Sequence, residues 1–229
     1  MGESSLVGTN NHVSPRNFLS ADNGVFAESE DTAKRILDGA LRALARHGLQ
    51  RVSMSDVWRE ARVSHSTLYR YFKSKAQLLA AVASHVEEQF NVVLLEAVAA
   101  DPSLDRRLEV VLDVIVHFDD YVPEAIAVLK SEPEFAMEFL PPMHERHVAV
   151  VKDLLSPVLQ QAAAVRAGSI GEEELTDAFL RLAFTAHILP TASAENLPRV
   201  VQKLWRGMAS EAQPDVNMGR DQAESRHAS

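Results

Sequence analysis

The chain has 229 residues, 46% of them hydrophobic and 24% charged, with a formal net charge of −9 at pH 7. This length suits one helical body, or a small head with a larger second domain. Because the chain has no cysteine, disulfides and thiolate metal sites are excluded. No continuous apolar run reaches the ~18 residues of a membrane span, and the N-terminal segment lacks the pattern of a signal peptide. We therefore expect a cytoplasmic protein.

The charge is divided unevenly along the chain. Residues 31–75 contain ten Lys/Arg and four Asp/Glu, a net charge of +6, whereas the rest contains 13 and 28, a net charge of −15. Chance variation in surface charge is the simpler explanation, but the basic stretch also contains the motif described below. A basic segment in an acidic protein is typical of a head that contacts nucleic acid.

The chain opens with a segment that has no helical period. Residues 1–28 are rich in Ser, Asn and Gly, which predicts a flexible N-terminal arm. The first helix is predicted from about Thr32 to His47, followed by Gly48 as its C-terminal stop. Its apolar residues recur at helical spacing and form a stripe for the core: Ile36, Leu37, Ala40, Leu41 and Leu44.

Two short helices separated by a turn are predicted between about residues 53 and 72. Ser53 and Ser64 are natural N-caps, and Asp56 lies three residues after the first. Leu68 and Phe72 occupy inward positions of the second helix. Its outward positions carry hydroxyls, aromatics and cations without a carboxylate, a surface that suits base edges and phosphate oxygens. The pattern is typical of a helix-turn-helix unit that reads DNA.

The same residues resemble a known family. Residues 63–75 read V-S-x-x-T-L-Y-x-Y-F-K-S-K and are followed by a Leu-Leu pair, as in the tetracycline-repressor (TetR) family of bacterial transcriptional regulators. Residues 36–57 resemble that family's first helix and loop. One position departs from the pattern, because Arg62 stands in the turn where the family usually has glycine. Glycine there eases a backbone shape that costs other residues roughly 1 kcal/mol.

The rest of the chain shows helical patterns only, so the fold class is all-α. A fourth helix is predicted from Ser74 to about Ala100, ~40 Å long, with its apolar end, Val92–Ala100, deeply buried. Prolines are expected to break or kink the later helices. These are predicted at Leu104–Phe118, Tyr121–Lys130, Glu134–Leu140, His144–Val165 (kinked at Pro157), Glu172–Leu189 and Asn196–Ala212.

The resemblance implies three domains or segments beyond the arm. A three-helix DNA-binding head takes residues 29–90, and the long fourth helix joins it to a ligand-binding and dimerisation body at residues 91–212. A flexible C-terminal tail takes residues 213–229. The last two long helices are expected to pair with their copies in a four-helix bundle. Their interface residues are predicted to be Phe179, Leu182, Ala183, Ala186, Val200, Val201, Leu204 and Met208.

Roles in DNA binding follow from the outward positions. Phosphate contacts are expected from Arg51, Ser53, Tyr71 and Lys75. Thr67 and Tyr69 are expected to contact phosphate or a thymine methyl, and base contacts are expected from Ser55, His65, Ser66 and Arg70.

Large apolar side chains cluster around the proline-broken helices. They could line a ligand cavity or simply form ordinary core. The candidates are Phe118, Tyr121, Phe135, Met137, Phe139, Leu140 and Met143.

Other kinds of site find little support. His144 and His147 have a spacing that can hold a metal, but a third ligand is lacking, and a solvated helix face is the preferred interpretation. His117 beside Asp119 is read as local electrostatics rather than an acid/base pair. We expect neither an enzyme nor a cofactor.

The predicted function is a ligand-responsive dimeric repressor, released from palindromic operator DNA by a small apolar or amphipathic effector. Two alternatives stay open at this point. One is a ligand-independent DNA-binding regulator whose body is solid core. The other is a small-molecule-binding module whose DNA-binding head has degraded, which the unusual Arg62 leaves possible.

Overall fold

The computed structural model describes residues 23–189 and 193–210, except for the side chains of residues 23–28, 135–136 and 208–210. The described residues form helices and no strand, which confirms the all-α prediction. A 3₁₀ turn, Ala194–Asn196, precedes the last helix. The α-helices are α1 (Asn23–His47), α2 (Met54–Glu60), α3 (His65–Tyr71), α4 (Lys75–Ala100), α5 (Arg107–Val116), α6 (Phe118–Tyr121), α7 (Pro123–Ser131), α8 (Pro133–Leu159), α9 (Ala163–Arg166), α10 (Glu172–Ile188) and α11 (Leu197–Ser210).

The first helix is longer than its apolar pattern indicated. α1 begins at Asn23, so residues 23–28, predicted to belong to the flexible arm, are helical. The rest of the arm, residues 1–22, and the predicted tail, residues 213–229, lie outside the described residues. The predicted stripe of α1 is confirmed, since Ile36, Ala40 and Leu44 are almost fully buried.

α1 and α2 pack closely enough for their backbones to touch. A Cβ added at Gly39 would lie 2.6 Å from the Cα of Ala61, so only glycine fits at this crossing. Arg42 donates to the carbonyl oxygen of Glu60 at 3.1 Å, and the Glu60 carboxylate also pairs with Arg46. These contacts fix the helix-turn-helix unit on α1.

The long α4 links the head to the body. Ser74 caps it by accepting a hydrogen bond from the amide of Gln77 at 3.2 Å. By length and composition, α4 could cross a membrane, and it is the one such helix in the part of the chain that the structure describes. In the fold it packs against α1, α5 and α8. The prediction that its C-terminal end is buried all round is wrong, because Val92 and Leu95 are 48% and 51% exposed.

The largest correction concerns α8. Prolines at 141 and 142 were expected to end one helix, yet one helix of 27 residues passes through both and continues through Pro157. The kink expected at Pro157 stays a prediction. Each proline removes one backbone hydrogen bond. All three lie on the exposed side of the helix, where water can satisfy the carbonyls left without partners. Packing of α8 against α5, α7 and α10 outweighs the local preference.

The body is built around α5. Leu108, Val111 and Leu112 are almost completely buried, and α5 contacts α4, α8, α10 and α11. The observed bounds of α5 to α7 and α9 to α11 differ from the predicted ones mainly at their ends. The exceptions are the separate short helices α6 and α9, which the periodicity did not separate from their neighbours.

Candidate DNA-binding surface and effector cavity

Side-chain caps define both helices of the helix-turn-helix unit. The Ser53 hydroxyl accepts from the amide of Asp56, and the Asp56 carboxylate accepts from the amide of Ser53 at 2.9 Å, so the two form a capping box. The Ser53 hydroxyl also donates to the Asp56 carboxylate at 2.6 Å, and this bond, together with the one from the Ser53 amide, lowers the pKa of Asp56 below its ordinary value. The Ser64 hydroxyl accepts from the amide of Thr67 at 3.0 Å. The sequence therefore fixes where both helices begin.

The turn between them has a backbone suited to glycine. Arg62 has φ of +53°, the only positive φ of a non-glycine residue in the described part of the chain. The amide of Val63 donates to the carbonyl of Trp58, and the amide of Arg62 donates to that of Arg59. This is the Schellman arrangement, whose C′ residue takes the left-handed conformation. The turn is thus the one that the glycine of the resembled family would adopt, held here by an arginine.

The outward face of α3 carries the side chains predicted to read DNA. Ser66, His65 and Arg70 are exposed, Tyr69 is 36% exposed and Thr67 is half-buried. The rings of His65 and Tyr69 lie 4.5 Å apart, forming a small aromatic platform. Leu68 beneath them is fully buried and anchors α3 to the head. Ser55, on α2, is also exposed.

The residues assigned to phosphate already have partners within the chain. The ammonium of Lys75 donates to the carbonyl of Leu49 at 2.6 Å, and the Tyr71 hydroxyl bonds Ser29 at 3.2 Å. Arg51 is exposed and donates through Nε to the carbonyl of His47. The Ser53 hydroxyl is used in the capping box. Lys75 and Arg51 each keep further N–H groups for phosphate, whereas Tyr71 and Ser53 would have to exchange a partner.

A cavity of about 160 Å³ lies between the head helix α1 and the body helices. Of the predicted ligand residues, Phe118, Phe139, Leu140 and Met143 line it. Tyr121 and Met137 do not, and they are 53% and 63% exposed. The side chain of Phe135 lies outside the described residues.

Two histidines also line the cavity, and sequence reasoning assigned neither to it. His147, predicted to lie on a solvated face, stacks against Phe90 at 4.2 Å between ring centroids. Burial lowers the pKa of its imidazole from 6.5 to about 4, so it is neutral at pH 7. Its Nε2 is buried and has no hydrogen-bond partner. His187 bonds the carbonyl of Ile115 through Nε2 at 2.7 Å.

The position of His147 could have been found from spacing. Phe139, Met143 and His147 are four residues apart and therefore share one face of a continuous helix. The Pro141–Pro142 pair, interpreted as the end of a helix, hid that relationship. His144 lies on another face, where it bonds Asp177 at 2.6 Å. Among the described residues, no group of three potential ligands could hold a metal ion.

The cavity is in direct contact with the head. Leu41 and Leu44 of α1 form part of its wall, as do Val128 and Leu129 of α7. Immediately after α7, the carboxylate of Glu132 accepts a hydrogen bond from the amide of Leu49 at 3.2 Å. Leu49 in turn accepts from Lys75, at the start of α4. One short loop of the head thus joins the cavity wall to the base of α4.

The predicted dimer residues divide into exposed and buried groups. Leu182, Val200 and Leu204 are 42%, 47% and 61% exposed. Phe179 and Ala186 are half-buried, and Phe179 packs edge-on against Trp205 at 6.0 Å. Ala183 and Val201 are buried within their own chain, and the side chain of Met208 lies outside the described residues. An apolar exposed surface therefore remains on α10 and α11.

Comparison with known proteins agrees with these features. Residues 36–82 match the family model described as bacterial regulatory proteins, tetR family. The chain is 34% identical over 116 residues to the HTH-type transcriptional repressor LfrR of Mycolicibacterium smegmatis. It is 32% identical over 94 residues to the HTH-type transcriptional regulator BetI of Agrobacterium fabrum. These matches cover 48% and 41% of this chain, and the chain spans about half of each relative, 58% and 46% of their lengths.

The fold is shared over a longer stretch. A TetR-family regulator from Haemophilus influenzae superposes with a TM-score of 0.57 at 24% identity, covering 78% of this chain and 97% of the other. At that identity the likeness concerns the fold alone.

Proposed function

We propose that the chain, whose residues 36–82 match the family model of bacterial regulatory proteins, tetR family, is a dimeric DNA-binding repressor of transcription released by a small apolar effector. The observation that carries the proposal is the exposed face of α3. It presents hydroxyls, two aromatic rings and an arginine, and no carboxylate lies on the helix. Such a surface can enter a major groove without repelling phosphate.

DNA contact is supported by the charge of the head. The net charge of +6 over residues 31–75 contrasts with −15 elsewhere, which orients the head towards a duplex and the body away from it. Arg51 and Lys75 flank the reading helix and supply phosphate contacts, which position the protein without selecting sequence.

Dimerisation is supported by the apolar surface of α10 and α11. Leu182, Val200 and Leu204 are large side chains that a second copy would cover. Two copies related by a two-fold axis would place two α3 helices in successive major grooves, about 34–36 Å apart, on a palindromic site. The predicted boundaries of head and body are consistent with this arrangement. α4 connects the two, so its orientation sets the position of the head relative to the proposed dimer helices α10 and α11.

Effector release is supported by the cavity and its route to the head. A ligand between α1, α4, α7 and α8 presses on Leu41 and Leu44 from one side and on α7 from the other. Displacement of α7 moves Glu132, and with it the Leu49 loop and the base of α4. Because groove spacing is fixed, a small change in the separation of the two α3 helices forfeits half-site contacts. A ligand that prefers the displaced state ~100-fold shifts the equilibrium by about 2.7 kcal/mol.

The two alternative functions fit the structure less well. A ligand-independent regulator with a solid core would have no reason for a cavity of about 160 Å³ beneath α1. A degraded head would not retain a capping box, a capped α3 and a complete Schellman turn at Arg62.

Footprinting on the DNA upstream of its own gene tests the proposal. We expect two protected half-sites whose centres are one helical turn apart, and loss of protection when an effector is added. Protection of a single half-site would contradict the dimer, and absence of sequence-dependent protection at low salt would contradict operator binding.

A further inference from the structure

The walls of the cavity carry information about the chemistry of its occupant. Apart from His147 and His187, every described side chain that lines it is apolar, and no Asp, Glu, Lys or Arg is among these residues. His147 is neutral at pH 7, and His187 is hydrogen-bonded to the carbonyl of Ile115. A charged ligand would lose its hydration without finding a counter-ion. The wall therefore selects against cations and anions alike.

The volume limits the size of the occupant. A cavity of about 150 Å³ lined by Leu, Ile and Phe is large enough for benzene, and this one is about 160 Å³ with a similar lining. A single substituted ring or a short branched chain fits without moving the helices. Larger molecules must displace a helix or extend out of the cavity.

His147 adds one polar requirement. Its Nε2 is buried and unpaired, which is unfavourable in the empty protein because a buried polar atom without a partner keeps its full desolvation cost. A neutral imidazole has one donor and one acceptor nitrogen, so a ligand hydroxyl can serve either tautomer. The Phe90 ring stacked on the imidazole holds it at the cavity wall.

We propose that the effector is an uncharged molecule of about the size of a substituted benzene ring, with a single hydroxyl or similar group that hydrogen-bonds His147. This inference rests on the proposed effector function and defines the ligand class for the same cavity. The rest of the effector contacts apolar side chains of α1, α4, α7 and α8.

A series with one changed substituent tests the class directly. Ethylbenzene, benzyl alcohol and benzylammonium differ only in a terminal methyl, hydroxyl or ammonium group. Binding to the full-length protein without DNA is measured by calorimetry and by ligand-dependent thermal shift. We expect the two uncharged compounds to bind and benzylammonium to bind at least tenfold more weakly than either. Stronger binding of the cation, or no binding of either neutral compound, would overturn the proposed class.

Variants isolate the role of His147. His147→Phe preserves the stacking on Phe90 and removes the unpaired nitrogen. It is expected to lower the affinity for benzyl alcohol relative to ethylbenzene by about tenfold and to raise the melting temperature of the ligand-free protein. His144→Phe, three residues away and outside the cavity, is the matched control and should leave that affinity ratio unchanged. If the Phe variant does not fold, His147→Leu removes the same nitrogen with a smaller side chain.

The outcomes separate this inference from the proposed function. An unchanged affinity ratio in His147→Phe would refute the hydrogen bond to His147. Absence of sequence-specific DNA binding by the wild-type protein would refute the repressor function, whatever the ligand series shows. If benzylammonium released the protein from DNA and the two neutral compounds did not, the result would support a repressor and refute the proposed ligand class.

Discussion

Arg62 shows how a single residue can depart from a pattern without altering the fold. The sequence identified the position as unusual because glycine was expected there. The structure explains why glycine is expected there, since φ of Arg62 is +53° and the two hydrogen bonds of the turn require that backbone conformation. Sequence alone could not determine whether the arginine changes the turn or tolerates it. The local hydrogen bonds and the packing of Ala61 on Gly39 make it tolerate the left-handed conformation.

Replacing this arginine with glycine should therefore relieve conformational strain in the turn. Arg62→Gly is expected to be more stable than Arg62→Ala by roughly 1 kcal/mol, because both lose the side chain and only glycine relieves the positive φ. Urea unfolding monitored by circular dichroism measures the difference. Equal stability of the two variants would show that the turn carries no conformational strain.

His147 gives a second test at the level of one residue, through pH. Its pKa is lowered to about 4, mainly by burial; Glu87 raises the pKa in part, and His144 and Arg146 add to the lowering. A base with a depressed pKa in the folded state binds protons more readily when unfolded. The contribution of neutral His147 to the free energy of unfolding is constant above pH 6.5 and is lost progressively as the pH falls from 6.5 to about 4. We expect a loss of up to about 3 kcal/mol of unfolding free energy from this group.

The matched measurement compares the wild type with His147→Phe across that range of pH. The difference in stability between them should grow in favour of the variant on acidification. Parallel pH profiles would show that the imidazole is accessible to water in the folded protein.

Among the secondary-structure elements, the helices that begin after a serine N-cap were predicted best. Serine caps locate the starts of α2, α3 and α4, and the structure agrees with each. α8 was predicted worst, because proline is a strong local signal whose cost was outweighed by tertiary packing. That error divided the helix face shared by Phe139, Met143 and His147. The contribution of Leu41 and Leu44 to the cavity was also missed, because core spacing does not reveal what a buried residue packs against.

The crossing of α1 and α2 is the element contact with the least tolerance. Gly39→Ala should destabilise the protein by roughly 1–3 kcal/mol and weaken DNA binding, because the added methyl meets the backbone of Ala61. Gly207→Ala is the control, since nothing lies within 4 Å of the new methyl on α11 and alanine favours helix. Thermal unfolding compares the two variants. A neutral Gly39→Ala would mean that the two helices do not approach closely.

The described part of the chain leaves an apolar surface on α10 and α11, which is the proposed dimer interface. Leu204→Glu is expected to weaken self-association by at least tenfold while the monomer stays folded, because a carboxylate would be buried at the interface. Leu95→Glu makes the same change at an exposed leucine of α4 and serves as control. Sedimentation velocity across a concentration series measures both. A Leu204→Glu protein that associates like the wild type would place the interface elsewhere.

If the carboxylate-free face of α3 reads DNA, a negative charge introduced on that face should abolish specific binding. Asp at position 66 suits the first turn of α3, so Ser66→Asp should fold normally while its carboxylate faces phosphate and base acceptors. Ser84→Asp adds the same charge to an exposed site on α4. Fluorescence anisotropy with DNA upstream of its own gene, with excess competitor DNA, measures specific affinity. We predict tight binding by the wild type and Ser84→Asp and a loss of at least 100-fold in Ser66→Asp. Equal affinities for all three proteins would show that the outward face of α3 does not contact DNA.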